Sequence, residues 1–376
     1  GAGRAASTEE ILGRKIADFA LGDYRGKQYS LVEPQPAAAT VVAFLGTECP
    51  LANVYAPRLQ QSADRWGSKG VRFLVVMSNQ QDSLADVAQF VKKHSLTIPV
   101  LKDPGNVVAD RFRAERTPEV FVLDKDRVVR YFGRVDDQYG VGYQRPRNPR
   151  QDMDLAVEQV LAGKPVETPT TKLQGCLIGR AKRSPSTGEV TFHKDVARVF
   201  RDRCVECHHE GQVAPFSLTD YSKSVGWAEM IREVLEENRM PPWLANPRHG
   251  RFSNNPSLTD AEKKTIYRWI EGGCPEGDPK DGPKPLELAK GWGISGPDQI
   301  FYMSDKPYTV PAEGTVRYQY YLVDPKLTED KWIQEAEVRA GSPAVVHHVI
   351  VFIERGGGMK YHQPQMAYAQ IGRAHV

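Results

Sequence analysis

Apolar and polar positions divide the chain into stretches of different periodicity. In residues 9–163, short continuous apolar runs alternate with helix-like stretches, which is typical of buried strands and their covering helices. This alternation predicts an α/β domain with a mainly parallel sheet covered on both faces, closed by a hairpin around Asp124-Lys125-Asp126. The expected strands are Val41–Gly46, Val71–Ser78, Ile98–Leu101, Glu119–Leu123 and Arg127–Phe132, and the expected helices are Leu51–Trp66, Ser83–His94, Val107–Phe112 and Asp154–Leu161.

The remainder of the chain divides into two further domains separated by linkers. Residues 164–189 and 276–298 are rich in Pro and Gly and are expected to be linkers. Residues 190–275 have helical periodicity, and residues 299–370 change to the alternation of strands, so we expect an all-α domain and then the start of an all-β sandwich. The expected elements are helices His193–Arg203, Trp227–Glu237 and Thr259–Glu271, then strands Val316–Val323, Trp332–Arg339 and Val345–Ile353.

Composition narrows the class of protein. Of the 376 residues, 40% are apolar and 26% are charged, as in soluble globular proteins, and the formal net charge of +3 gives no reason to expect nucleic-acid binding. The apolar runs are of strand length, so no transmembrane segment is expected, and no signal peptide is visible. The final residues 371–376 match the translation of a common sequencing-adapter read. We therefore expect them to be an artefact that follows Gln370, the alternative being a natural C-terminus.

A C-x-x-C-H motif lies in the all-α stretch. Cys204-Val205-Glu206-Cys207-His208 has the spacing in which two thiols attach a c-type haem and the adjacent His208 ligates the iron. Met240, between a helix and two prolines, is a candidate for the second axial ligand. The order helix, motif, methionine loop, helix resembles a small class I cytochrome c domain over residues 190–275. The resemblance implies a haem c cofactor held by Cys204, Cys207, His208 and Met240.

The same motif is also compatible with sites that hold no haem. A zinc site would need further ligands, for which His209, His249 or Cys274 would have to be recruited. A redox C-x-x-C normally follows a strand, whereas this motif follows a helix. Met240 could instead serve only to pack the core.

A single cysteine stands at the end of a predicted strand in the first domain. Cys49 precedes Pro50 at the start of a helix, where the helix N-terminus favours a thiolate. Further on, Arg116-Thr117-Pro118 places a proline directly before a strand. Together these features resemble the redoxin and peroxiredoxin branch of the thioredoxin-like superfamily. That resemblance implies a thioredoxin-like fold, a cis-proline at Pro118 that faces Cys49, and catalytic roles for Cys49, Thr47 and Arg116.

The first domain departs from both motifs of that superfamily. The partner position of a C-x-x-C is Ala52, and Thr47 lies two residues before Cys49, where the peroxiredoxin pattern has threonine three residues before. Cys176, in the linker, is the hypothetical resolving partner of Cys49. The alternative is that Cys49 is a buried inert thiol.

Two adjacent histidines interrupt the last predicted strand. Residues 296–353 resemble the beginning of the type II copper, ascorbate-dependent monooxygenase family, and the resemblance implies that His347 and His348 ligate copper. The third ligand is expected beyond the end of this sequence, since His362 is too close. The alternative is a pair of structural histidines in a β-sandwich.

Three functions follow from these motifs. The first is an extracytoplasmic oxidoreductase that couples haem c electron transfer to a redoxin domain and a copper monooxygenase-like domain, acting with an electron donor or acceptor protein and a small organic substrate. The second is a thiol peroxidase that uses Cys49 on peroxide. The third is a haem c electron carrier or binding protein with a vestigial redoxin fold. Covalent haem attachment implies a periplasmic or exported protein.

Overall fold

The structure is a computed structural model. It describes residues 11–145, 149–180, 187–243, 245, 247–253, 255–284, 292, 294, 296–311, 316–342, 345–346 and 348–352. The strands are β1 (Ala20–Gly22), β2 (Gln28–Ser30), β3 (Ala39–Leu45), β4 (Val71–Met77), β5 (Val100–Lys102), β6 (Arg116–Thr117), β7 (Glu119–Asp124), β8 (Val129–Gly133), β9 (Tyr139–Gly140), β10 (Tyr143–Gln144) and β11 (Cys176–Leu177). The α-helices are α1 (Pro50–Gly67), α2 (Leu84–Lys93), α3 (Val107–Phe112), α4 (Asp152–Leu161), α5 (Ala197–Arg203), α6 (Tyr221–Gly226), α7 (Ala228–Glu236) and α8 (Asp260–Glu271).

A five-stranded sheet in the order β5-β4-β3-β7-β8 organises the N-terminal domain. β3 and β4 pair in parallel, as do β4 and β5, whereas β7 pairs antiparallel with both β3 and β8. The expectation of a mainly parallel sheet was therefore wrong, because the predicted hairpin joins the sheet next to its central strand. The α/β class and the hairpin itself are confirmed.

Both faces of this sheet are buried, as the continuous apolar runs predict. Along β3 consecutive side chains enter opposite cores. Val41 packs with Leu59 of α1 and Val157 of α4, and Val42 packs with Phe112 of α3 on the other face. Burying one such side chain contributes about 1.5–3 kcal/mol. The sheet is thus a rigid base for the loop that follows β3.

The segment expected to be a linker at 164–189 contains a strand. β11 pairs antiparallel with β6, with Cys176 opposite Thr117 and Leu177 opposite Arg116. The sequence does not reveal this strand because it is only two residues long. Its pairing fixes Cys176 against the N-terminal domain.

Helices form within residues 190–275, near the predicted positions. Residues Phe192–Val196 form a π-helical turn that continues into α5, and α6 is a short helix absent from the prediction. Thr259 caps α8 in a reciprocal capping box with Glu262. The four helices and the π turn surround a core that includes Phe200, Trp227 and Trp269.

The strands predicted in residues 299–370 are not formed in the part that the structure describes. Residues 316–342 contain no helix or strand, and Trp332 is fully exposed. A strand needs a hydrogen-bonded neighbour and an apolar layer to pack against, and the described residues provide neither. Residues 353–376 lie outside the described residues, and so does the predicted artefact at 371–376. Among the described helices, none is long and apolar enough to cross a membrane.

Candidate functional site

Cys49 lies in the short loop between β3 and α1. It is the N-cap residue of α1, with Pro50 as the first helical residue and no acidic side chain in the first turn. The thiol is completely buried and donates a hydrogen bond to the Thr117 carbonyl oxygen at an Sγ–O distance of 3.0 Å. Because helix N-termini favour negative charge, this position favours the thiolate.

Thr117 and Pro118 form the opposite wall of the site. The peptide bond between them is cis, as the resemblance to redoxins implied. Thr117 is itself buried, and its carbonyl is the acceptor for the Cys49 thiol. Cys49 and Pro118 are therefore brought together as predicted.

Cys176 approaches the same wall on β11. The strand can come this close because Gly175 precedes it with φ of +121°, and a Cβ there would lie 2.1 Å from the Thr117 carbonyl oxygen. Arg116 Nη1 donates to the Gly175 carbonyl at 2.7 Å and holds the segment in place. The Cys176 side chain packs against the apolar cluster that contains Cys49, and each thiol shifts the pKa of the other. The two cysteines thus lie side by side although the sequence separates them widely.

The surroundings of the two thiols give them different pKa values. Burial raises the pKa of Cys49, but interactions of its sulfur with the side chains of Cys176 and Thr117 and with the Ala52 and Cys176 backbone outweigh burial and lower the pKa to about 6. The interaction with Cys49, together with burial, raises the pKa of Cys176 well above its ordinary value. Cys49 therefore holds the negative charge of the pair and Cys176 holds the proton.

Thr47 and Arg116 are engaged elsewhere than at the Cys49 sulfur. Thr47 Oγ1 donates to Asp82 Oδ1 at 2.7 Å, and Asp82 is buried, so the hydroxyl secures the loop between β3 and α1. Arg116 Nη2 donates to Glu233 Oε2 at 2.6 Å, on α7 of the helical domain. These partners indicate a structural role for both side chains.

Glu48, which the sequence did not single out, joins the site to the helical domain. Its carboxylate accepts hydrogen bonds from Lys223 Nζ at 3.0 Å and from Trp227 Nε1 at 3.1 Å. On the Cys176 side, Arg116 and Arg239 both bind Glu233. No sequence signal could have found these contacts, because each is a single polar pair between residues far apart in the chain.

The C-x-x-C-H residues lie at the end of α5. The His208 N–H donates to the Cys204 carbonyl at 2.9 Å, so the motif closes one turn. His208 Nδ1 donates to the Phe216 carbonyl at 3.1 Å, which orients the ring and leaves Nε2 as the nitrogen for a metal. Ligating histidines are usually held in this way. Burial lowers the pKa of His208, so its ring stays neutral, as a ligand must.

The thiols of this motif are unlike the Cys49 pair. Burial raises the pKa of Cys204 to about 12 and moves that of Cys207 in the same direction. Neither thiol is therefore a ready thiolate for disulfide exchange. The structure places both thiols and the oriented imidazole of the motif in one turn, and Met240 is half-exposed after α7.

The residues suggested for zinc do not converge. Within the ranges that the structure describes, no three His, Cys, Asp or Glu side chains are grouped so as to hold a metal ion. His209 Nδ1 donates to the Val205 carbonyl at 2.7 Å, and Cys274 is buried in the helical core. His348, of the predicted copper pair, has a ring centroid 5.8 Å from that of Tyr318, whereas His347 lies outside the described residues.

Comparisons with known proteins concern mainly the N-terminal domain. Residues 12–132 match the AhpC/TSA family. The chain is 24% identical to the thiol-disulfide oxidoreductase ResA of Halalkalibacterium halodurans over 113 residues. These residues make up 30% of this chain, and the match spans 62% of the length of ResA. The N-terminal region is therefore a thioredoxin-like redoxin domain, which confirms this part of the resemblance.

Solved structures are similar over less than half of the chain. A hypothetical protein from Sinorhizobium meliloti is 31% identical, with a TM-score of 0.42, over 45% of this chain and 94% of its own. A secreted disulfide oxidoreductase of Mycobacterium tuberculosis is 20% identical, with a TM-score of 0.29, over 39% of this chain and 95% of its own.

Proposed function

We propose that this protein is a thiol-disulfide oxidoreductase whose redox pair is Cys49 and Cys176. The observation that supports the pair is that both cysteines meet at Thr117, beside the Thr117–Pro118 peptide bond: Cys49 Sγ contacts the Thr117 carbonyl, and Cys176 pairs with Thr117 and packs on the cluster that contains Cys49. Thioredoxin-like domains commonly take both cysteines from one C-x-x-C. Here Ala52 occupies the second position, and the linker strand β11 brings the other thiol from outside.

The reaction of the pair follows from the difference in acidity. Reduction of a substrate disulfide converts the two thiols into the Cys49–Cys176 disulfide, and the two electrons and two protons pass to the substrate as two thiols. The Cys49 thiolate exists at neutral pH because its pKa is lowered to about 6 by the interactions of its sulfur, in spite of burial. A thiol of low pKa is a good leaving group when the disulfide of the pair is opened.

A thiol peroxidase is the weaker proposal. Peroxide chemistry would need polar groups aimed at a peroxide next to the Cys49 sulfur. The Thr47 hydroxyl points to Asp82, and the Arg116 guanidinium is bound to Gly175 and Glu233. Neither side chain is available in this arrangement, whereas a second thiol is in contact with Cys49.

Equilibration in glutathione buffers of graded ratio tests the proposal. We expect wild-type protein to lose two alkylatable thiols, those of Cys49 and Cys176, together in one two-electron transition. The variants Cys49→Ser and Cys176→Ser should each lose the transition, and Cys274→Ser, in the helical core, should keep it. If both thiols stay alkylatable at every ratio, the pair is not a redox pair.

We propose in addition that the helical domain carries one haem c. Cys204 and Cys207 would hold it covalently, and His208 and Met240 would ligate its iron. Such a haem supplies one-electron transfer, and thioether ligation raises its potential. The residues of this chain prepare the site: the Phe216 carbonyl orients His208, and burial keeps its imidazole neutral.

A pyridine haemochrome spectrum of the denatured chain, produced by an export route with c-type maturation, tests haem attachment. Haem that stays with the unfolded polypeptide, and is lost in Cys204→Ala/Cys207→Ala, would support the proposal together with an extracytoplasmic location. An intact haem couple without thiol exchange would instead favour the simple electron carrier. Bound zinc and no retained haem would contradict the haem proposal.

A further inference from the structure

The two thiols of the proposed pair differ in access. Cys49 has no solvent-accessible surface, whereas Cys176 is only partly buried. A reagent that approaches the closed protein therefore meets Cys176 first. In disulfide exchange the sulfur that is attacked must be reached in line with the bond that breaks, so this difference decides which sulfur reacts with an outside partner.

The burial of Cys49 is built from both domains. The first turn of α1 and the Thr117 carbonyl enclose the sulfur from within the redoxin domain. The preceding residue, Glu48, is held by Lys223 and Trp227, so the helical domain covers the loop that carries the thiol. Exposing Cys49 would require breaking contacts between the domains.

Cys176 is held at the border of the two domains. Leu177 N donates to Met230 Sδ at 3.3 Å, and Arg116 ties the Gly175 carbonyl to Glu233. These contacts fix the backbone on both sides of Cys176 and leave part of the residue open. The Cys176 side chain packs against the apolar clusters of both domains, and the residue keeps part of its surface accessible.

We propose that Cys176 is the sulfur that exchanges with the substrate and that Cys49 is the buried sulfur that leaves and returns. This inference rests on the proposed Cys49–Cys176 redox pair and goes beyond it by assigning the two roles. A thioredoxin-like domain with both cysteines in its helix turn has no counterpart to this arrangement, because here the exchanging thiol comes from the linker strand.

The exchange balances in two steps. A substrate thiolate attacks the Cys176 sulfur of the oxidised pair, the Cys49–Cys176 bond breaks, and Cys49 leaves as a thiolate. A second substrate thiol, after losing its proton, attacks the substrate sulfur of the mixed disulfide and releases Cys176, which takes up a proton. The substrate is oxidised to a disulfide and the protein pair is reduced. A leaving thiol of low pKa departs faster, and hydrogen bonding lowers the pKa of Cys49 despite its burial.

Glutathionylation of single-cysteine variants tests the roles. In Cys49→Ser, we expect glutathione disulfide to modify Cys176 in the native, haem-loaded protein. In Cys176→Ser, we expect Cys49 to be modified at least about tenfold more slowly until guanidinium unfolds the protein. Faster native modification of Cys49 than of Cys176 would overturn the inference.

The wild-type protein gives a second measurement that needs no variant to fold. The oxidised protein is mixed with reduced glutathione, quenched with iodoacetamide and mapped. Glutathione on Cys176 and the alkyl label on Cys49 is the expected intermediate, and the reverse labels would overturn the role assignment alone. Absence of a starting Cys49–Cys176 disulfide would instead contradict the proposed function itself.

Discussion

The Trp227 indole Nε1 donates a hydrogen bond to Glu48 Oε2 at 3.1 Å, and the next residue after Glu48 is Cys49. The Trp227 ring also stacks on Phe216, with ring centroids 4.1 Å apart and planes at 13°. The Phe216 carbonyl in turn accepts the hydrogen bond from His208 Nδ1. Two aromatic residues therefore join the loop of the buried thiol to the histidine of the C-x-x-C-H motif, so the two candidate redox sites share one interface.

The lowered pKa of Cys49 predicts how the reduced protein responds to pH. Thiolate absorbance near 240 nm should titrate with a midpoint of about 6 and should be absent from Cys49→Ser. Between about pH 6 and about pH 8.5, the ordinary pKa of an unfolded cysteine, the unfolded chain binds more protons at this site. The contribution of the Cys49 thiolate to the free energy of unfolding is complete above that range and is lost as the pH falls through 6. A midpoint near 8.5 would contradict the assigned environment.

Gly175→Ala should separate the two thiols. The new Cβ would lie 2.1 Å from the Thr117 carbonyl oxygen, so β11 must move away from β6. We expect a loss of about 1–3 kcal/mol in the free energy of unfolding and a weaker tendency to form the disulfide. Gly163→Ala is the matched control, because Gly163 also has positive φ but no atom within 4 Å of the new Cβ. Equal disulfide formation in both variants would count against the role of Gly175.

Arg116→Gln should weaken the contacts that enclose Cys49 and Cys176. It removes the hydrogen bonds to Gly175 and Glu233, for an expected loss of about 1.5–3 kcal/mol in stability and faster alkylation of Cys49 in the native protein. Arg116→Lys keeps the positive charge but not the two parallel hydrogen bonds, so it should retain only part of the wild-type stability and of the protection of Cys49 from alkylation. Arg268→Gln, which breaks the exposed ion pair with Glu189, should change neither measurement.

Thr47→Val separates a structural role from a peroxidase role. Loss of the hydroxyl leaves the buried Asp82 with one hydrogen bond fewer, for an expected destabilisation of about 1–3 kcal/mol. The rate of thiol-disulfide exchange should stay within about twofold of wild type, measured where both proteins are folded. Peroxide consumption that depends on both Thr47 and Cys49 would favour the thiol peroxidase.

The periodicity of the sequence predicts the elements that are long and well buried. α3 begins and ends where it was expected, and α1 and β3 differ from their predicted bounds by one or two residues. β1 and β2 were missed because they have three residues each and no fully buried position. The antiparallel pairing of β7 with β3 depends on contacts between residues far apart in the chain, which periodicity does not indicate.

The candidate site was predictable only where its residues are local in sequence. The position of Cys49 at a strand-to-helix turn and the proline before β7 gave the redoxin site, and the C-x-x-C-H spacing gave the haem proposal. The contact of Cys176 with Cys49 depends on Gly175 and on a two-residue strand, and the suggested pairing had no physical basis in the sequence alone. The contact of Glu48 with Trp227 depends on how two domains dock, so no local pattern indicates it.

Non-reducing peptide mapping after mild oxidation is the decisive experiment for the Cys49–Cys176 pair. We expect one linked peptide that contains Cys49 and Cys176 and that separates on reduction, with Cys274 recovered unlinked. Recovery of Cys49 in a peptide of its own, with Cys176 fully alkylated, would contradict the proposed pair.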